Sequence, residues 1–292
     1  MSENKKSKSG VWALLAKLGP KLLGLLGKLA KLIKFTKVGL AALTFAGYAA
    51  IYNWKFAVLI MVAIGWHESG HVWAMKEKGL KTKGFYFLPF IGGAAIQEEN
   101  YKTYQDNFYV SIMGPVWGAI LAFICAGAYL ITNIPMLAAA TGFMCMINLF
   151  NLLPINPLDG GQIVRSISFS LSSKKGINFL IISFILSIIA FILIKSGLFI
   201  LITIVGGMEL FYEYKKYKSA KAKEQYKLLF GNTELEKCFP DTRASYHYPD
   251  KMNPSQIKTN SLLYVGLIAI LFTLLKTVEH LPGADLAANF LR

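Results

Sequence analysis

Apolar residues in this chain gather in long runs rather than in narrow stripes. Such runs occupy 38–53, 56–76, 108–132, 135–153, 177–194, 197–213 and 261–278. A helix rising ~1.5 Å per residue needs about 20 apolar residues to cross a hydrocarbon core, and the pattern approaches that length repeatedly. It predicts an all-α polytopic membrane protein of about seven transmembrane helices. The fourth and fifth runs are separated by Pro154-Ile155-Asn156-Pro157-Leu158-Asp159-Gly160-Gly161. That composition forces the backbone out of helical geometry near membrane depth, which is tolerated only inside protein or beside a wet cavity. After the second run, the aromatic, glycine-punctuated stretch Gly84 to Ile96 is too short to span. It reads as a short re-entrant β-hairpin, with a plain surface loop as the alternative. In 20–37, leucines alternate with Lys21, Lys28 and Lys31 at helical spacing behind Pro20, as expected of an amphipathic helix on an anionic leaflet. An additional span and a partner-binding helix are the alternatives there.

Composition supports the membrane reading. Hydrophobic residues make up 54% of the 292 positions and charged ones 16%, and mean hydropathy is +0.46. Disorder, collagen and coiled coil are excluded by such numbers. Cys125, Cys145 and Cys238 are odd in number and lack CxxC spacing, so neither a disulfide scaffold nor a thiolate zinc cluster is expected. The net charge of +15 is unevenly placed: 27 of the 31 Lys and Arg fall in 1–37, 76–102, 162–176 and 214–258. The positive-inside rule then predicts a cytoplasmic N-terminus and an outer C-terminus. The basic stretch 214–258 lacks aromatic or motif support for nucleic-acid binding, so it is expected to be a solvated, lipid-facing surface.

Chemistry concentrates in the second run, where His67-Glu68-Ser69-Gly70-His71 forms His-Glu-x-x-His. Histidines at i and i+4 share one helix face and can offer two nitrogens to one zinc, while the glutamate can take a proton from water. Three ionisable groups in an apolar helix are costly unless they face inward onto a partner. A hydrolytic zinc site needs a third protein ligand and an open position. The remaining histidines, His247 and His280, lie in the basic segment and at the end of the last run, so a carboxylate is the better candidate. Asp159 in the Pro/Gly break leads, and Glu209 at the end of the sixth run is its rival, with simple snorkelling as the bland account of Glu209. Asn148, Asn151 and Asn156 are amides close to the break. Asn156 is favoured to orient substrate or hold an oxyanion, while capping free carbonyls is an equally good role. Gly92 and Gly93 in the hairpin are candidate substrate contacts. Gly114-Pro115 in the third run reads as a kink and a close helix contact.

These residues resemble a known family. His67-Glu68-Ser69-Gly70-His71, then Gly114-Pro115-Val116-Trp117-Gly118, then Asn148 through Gly161 look like the three signatures of the site-2 protease family of intramembrane zinc metalloproteases, in matching order and spacing over about 56–165. The resemblance implies that His67, His71 and Asp159 bind Zn2+ and that Glu68 is the catalytic base. It also implies that the hairpin presents an edge to an extended substrate. Ser69 departs from the usually apolar residue at its place. No inserted PDZ or CBS-type domain is evident.

The expected organisation is a basic N-terminal segment (1–37), a transmembrane catalytic core (38–176) and a transmembrane helix pair (177–213). A basic cytosolic segment (214–259) and a C-terminal helix with a short tail (260–292) follow. The expected activity is hydrolysis of peptide bonds in or near transmembrane segments of single-span membrane proteins, as in regulated intramembrane proteolysis, with membrane lipid as the surroundings and no nucleic acid. The expected location is a bacterial inner membrane, with the site in its cytoplasmic half. The alternatives are a catalytically inactive membrane scaffold and a zinc transporter.

Overall fold

The computed structural model describes residues 37–89, 92–238 and 248–282. The expected amphipathic helix of 20–37 lies outside them except for Lys37. In chain order the elements are α1 (Lys37–Ile51), α2 (Trp54–Glu77), β1 (Thr82–Leu88), β2 (Gly92–Gln97), α3 (Tyr104–Thr132) and α4 (Pro135–Asn151). They continue with α5 (Asp159–Leu171), α6 (Ser173–Ile194), α7 (Gly197–Cys238) and α8 (Pro254–Val278).

Local chemistry sets most of these boundaries. Asn53, Thr103 and Ser172 each accept a backbone N–H of the first turn of α2, α3 and α6. Asn253 forms a reciprocal box with Gln256 ahead of α8, and Pro135 and Pro254 occupy first-turn positions. Such caps satisfy the orphan donors of a helix start. At the other end, Asn133 and Lys195 close α3 and α6 in the left-handed region with φ of 54°, a conformation asparagine tolerates better than lysine.

Helix α3 is the hub, packed against α2, α4, α5 and α8, while α6 lies between α5 and α7. The α2–α3 crossing is close because it is built on glycine. A Cβ on Gly70 would collide with the Met113 carbonyl and the Trp117 ring, and on the α4 side of α3 one on Gly118 would overlap the Asn148 amide. The close-contact half of the Gly114-Pro115 expectation has the same basis, since a Cβ on Gly114 would overlap His71 of α2. A core of Phe56, Ile60, Tyr104, Phe108, Phe143, Leu152, Ile163 and Phe169 joins the central helices. Tyr104 and Phe169 stack with centroids 5.8 Å apart.

Strands β1 and β2 pair antiparallel, with Phe85 opposite Ala95 and Phe87 opposite Gly93. The hairpin expectation is met in its two strands, and residues 90–91 at its tip lie outside the described residues. The hairpin leans on α2, where a Cβ on Gly65 would stand 3.2 Å from Phe87 Cζ and one on Gly93 would stand 2.5 Å from Glu68 Cγ.

The span expectation is met in part. Among the described residues, four helices are long and apolar enough to cross a membrane, within Tyr104–Thr132, Ser173–Ile194, Gly197–Ala222 and Pro254–Val278, and they match four of the seven expected spans. The 15-residue α1 and 17-residue α4 are short for a full crossing, and in the 24-residue α2 the polar run His67 to His71 lowers the hydropathy. A span was also expected to end at 213–214. Helix α7 continues without a break to Cys238, for 42 residues. The hydropathy stops there, but helical hydrogen bonding does not depend on it.

Candidate metal centre and active site

His67 and His71 project from one face of α2, and Asp159 is the first residue of α5. The structure brings all three together. His67 Nε2 lies 3.0 Å from Asp159 Oδ2, His71 Nε2 lies 3.3 Å from Asp159 Oδ1, and the two Nε2 atoms are 3.1 Å apart. Ligand atoms about 2.0–2.1 Å from one tetrahedral ion are separated by roughly 3.3 Å, so these spacings fit a shared zinc.

The second nitrogen of each ring adds a further test. His67 Nδ1 is 2.9 Å from Asn148 Oδ1. The orientation of that amide is fixed because Asn148 Nδ2 donates to the Met144 carbonyl at 2.7 Å. His71 Nδ1 is 2.7 Å from the Val110 carbonyl. Both Nδ1 atoms therefore carry hydrogen and donate, and in the neutral rings this leaves two bare Nε2 lone pairs pointing at each other and at a carboxylate. Without a cation that arrangement is repulsive; with one it is the usual orientation of metal-binding imidazoles. Room for the two rings comes from Gly114, where a Cβ would overlap both imidazoles.

Asp159 is placed by the Pro/Gly turn. A Cβ on Gly160 would overlap the Leu152 carbonyl, and one on Gly161 would stand 2.5 Å from Ile155 and the Asn156 nitrogen. These glycines let the first turn of α5 fold back onto the end of α4. The Tyr264 hydroxyl of α8 donates to the freed Leu152 carbonyl at 2.6 Å. The positive end of the α5 dipole also favours the Asp159 carboxylate.

Glu68 is 8% exposed and sits between α2 and β2, with the Ala95 backbone N–H directed at its carboxyl. Two cavities meet there. One, of about 560 Å³, lies over the metal-site residues and is walled by Gly93, Ala95, Tyr101, Asn151 and Val205. The other, of about 370 Å³, runs between α1, α2 and α4 past Tyr48, Phe56, Ile64 and Phe143. Glu68, His67, Gly93, Phe150, Asn151 and Leu198 line both. Gly93 thus stands against the glutamate. Gly92, at φ 124°, lines the second cavity.

Three further placements matter. Asn156 is 2% exposed, its Nδ2 donates to Glu209 Oε2 at 2.6 Å, and its Oδ1 accepts from Gln162 at 2.7 Å. Its amide is committed away from the cavity, and Asn151 is the amide that lines both cavities. Glu209 is not within the His67, His71, Asp159 group. It pairs instead with Arg165, 3.1 Å away. Tyr101, which composition did not single out, lines the larger cavity. Burial, followed by the nearby Asp159 charge, pushes its phenol up. The sequence signal that could have found Tyr101 is only its place between hairpin and hub helix.

With this geometry in view, relationships to known proteins become informative. The sequence model of peptidase family M50 matches residues 55–142, which contain His67, Glu68, His71 and Gly114 but stop short of Asp159. A zinc metalloprotease of Methanocaldococcus jannaschii is 32% identical over 124 residues, covering 41% of this chain and 35% of its own length. Stage IV sporulation protein FB of Bacillus subtilis is 27% identical over 200 residues, 63% of this chain and 67% of that protein. The chain thus spans about a third of the first relative and about two thirds of the second. Through α2 and α3 this chain is similar to peptidase family M50, the site-2 protease family.

Proposed function

We propose that this protein is an intramembrane zinc metalloprotease that hydrolyses peptide bonds in or near transmembrane segments of single-span membrane proteins. The observation that carries the reading is the convergence of His67 Nε2, His71 Nε2 and the Asp159 carboxylate beside Glu68, on the wall of a cavity large enough for a peptide segment.

His67, His71 and Asp159 hold the ion. Zinc bound there supplies Lewis acidity and activates water near neutral pH. Glu68 accepts the proton of the attacking water on its carboxylate and returns it to the departing amine. Burial of Glu68 between α2 and β2 keeps its carboxylate close to the reacting atoms and away from competing water. Asn148 and the Val110 carbonyl hold the imidazoles in the Nδ1–H form throughout.

A substrate helix must unwind before cleavage, because its carbonyls are bonded and screened while helical. The strand β2, whose Gly93, Ala94 and Ala95 line the larger cavity, offers an edge along which an extended segment can pair. Water reaches the site from the cytoplasmic side. In this reading the chain is a multi-pass protein of a bacterial inner membrane with a cytoplasmic N-terminus. Helices α1, α2 and α4 complete about seven membrane elements beside the four long ones.

The test is cleavage of a panel of tagged single-span proteins by purified full-length chain in detergent, beside Glu68→Gln, with zinc measured in both. About one zinc per chain in both and cleavage by wild type alone supports the reading. Well-folded protein that holds no zinc would sink it and favour a scaffold.

A further inference from the structure

We infer that Glu209 is a positioning residue for Asp159, acting from α7 through the Asn156 amide. This rests on the metal site proposed above.

Asp159 spends its carboxylate on the site, so its position depends on the backbone of the turn before it and the helix after it. Glu209 holds both. Its Oε2 accepts from Asn156 Nδ2 at 2.6 Å, three residues before Asp159. Its Oε1 lies 3.1 Å from Arg165 Nε, six residues after Asp159. Asn156 Oδ1 in turn accepts from Gln162 of the first α5 turn at 2.7 Å, so the ring of contacts closes around the ligand. The Asn156 backbone N–H donates to Ser183 Oγ of α6 at 2.6 Å. Contact between α7 and the turn is direct as well: a Cβ on Gly206, one helical turn before Glu209, would stand 2.8 Å from the Asn156 carbonyl oxygen.

A plain ion pair would not require this arrangement. Arg165 has a second partner, with Nη2 2.7 Å from Glu213 Oε1, so its charge is compensated without Glu209. A buried ion pair is often no more stabilising than apolar packing. The contact that belongs to Glu209 alone is the one to Asn156. Groups that orient a ligand from behind typically change metal affinity by about 10–100-fold when removed.

The experiment uses full-length protein in detergent, with zinc affinity read by competition with a chromophoric chelator and ligand geometry read from the visible spectrum of the Co2+-loaded protein. Glu209→Ala is expected to weaken zinc binding about 10–100-fold and to shift the Co2+ bands. Glu209→Gln, whose amide oxygen still accepts from Asn156, is expected to stay near wild type. Asn156→Ala leaves the Glu209–Arg165 pair in place and is expected to match Glu209→Ala, with no further loss in the double variant. Asn156→Ala can therefore overturn the proposal even if Glu209→Ala does not fold, while agreement of Asn156→Ala with a folded Glu209→Ala, set against Glu209→Gln, separates the Glu209 contact from that of Gln162. Wild-type affinity and spectrum in Asn156→Ala, or Glu209→Gln as impaired as Glu209→Ala, overturns the proposal while leaving the metal site standing. Wild-type protein that binds no zinc overturns both.

Discussion

Asn148 faces His67 with its carbonyl oxygen because its own Nδ2 is engaged by the Met144 carbonyl, so the amide dictates which imidazole nitrogen is left bare. Replacing Asn148 with Leu removes the acceptor, frees the ring and should lower zinc affinity by about 10–100-fold. Asn148→Asp keeps an acceptor at that place and should retain more of the affinity. Chelator competition on the purified variants separates the two.

Gly114 provides the room in which the two imidazoles meet. Gly114→Ala should abolish stoichiometric zinc, since its Cβ would occupy the space of both rings. Gly127 lies on the same helix with nothing within 4 Å of a Cβ, and Gly127→Ala should bind zinc as wild type does. Metal analysis of both proteins checks the contrast. Equal zinc in the two would contradict the placement of Gly114.

Gly93 touches Glu68 rather than the ligands. A methyl group at 93 stands 2.5 Å from Glu68 Cγ and must displace the carboxylate, so Gly93→Ala should keep its zinc and lose cleavage. Misplacing a general base costs on the order of 10²–10⁴ in rate. The loss should appear in kcat and approach that of Glu68→Gln. A variant that instead loses zinc would place Gly93 in the metal site.

Removing zinc should also be visible without a substrate. Free zinc at about 1,000 times its Kd stabilises a binding fold by roughly 4 kcal/mol. Chelation should therefore lower the thermal midpoint of wild type, and the midpoint of Asp159→Asn should respond much less. A chelator-insensitive wild type would mean that α2 and α5 are not joined by an ion.

The parts of the site that were legible in sequence are those written locally. His67, Glu68 and His71 sit on one helical turn, so spacing alone announces them, and Pro154 to Gly161 announces a break because proline and glycine act on the backbone directly. Asn148, Asn151 and Asn156 look alike as letters, and only tertiary contact separates an amide behind His67 from one lining the cavity and one gripped by Glu209. Arg165, Glu209 and Glu213 are far apart along the chain, and no periodicity links them. Hydropathy and length separate four of the expected spans from α1, α2 and α4 for a related reason. The same polar residues that make α2 interesting reduce its apolar character, and short helices such as α1 gain stability from neighbours that composition does not reveal.

The close approaches around the site depend on side-chain atoms that are missing. At Gly70, Gly93, Gly114, Gly118, Gly160 and Gly161 the backbone itself, or a neighbouring side chain, fills the volume a Cβ would take. At Gly70, Gly160 and Gly161 the nearest neighbour is backbone, which has no rotamers to change. Side-chain repacking cannot make room there, so a methyl group at any of the three would have to shift a whole helix or the turn before Asp159.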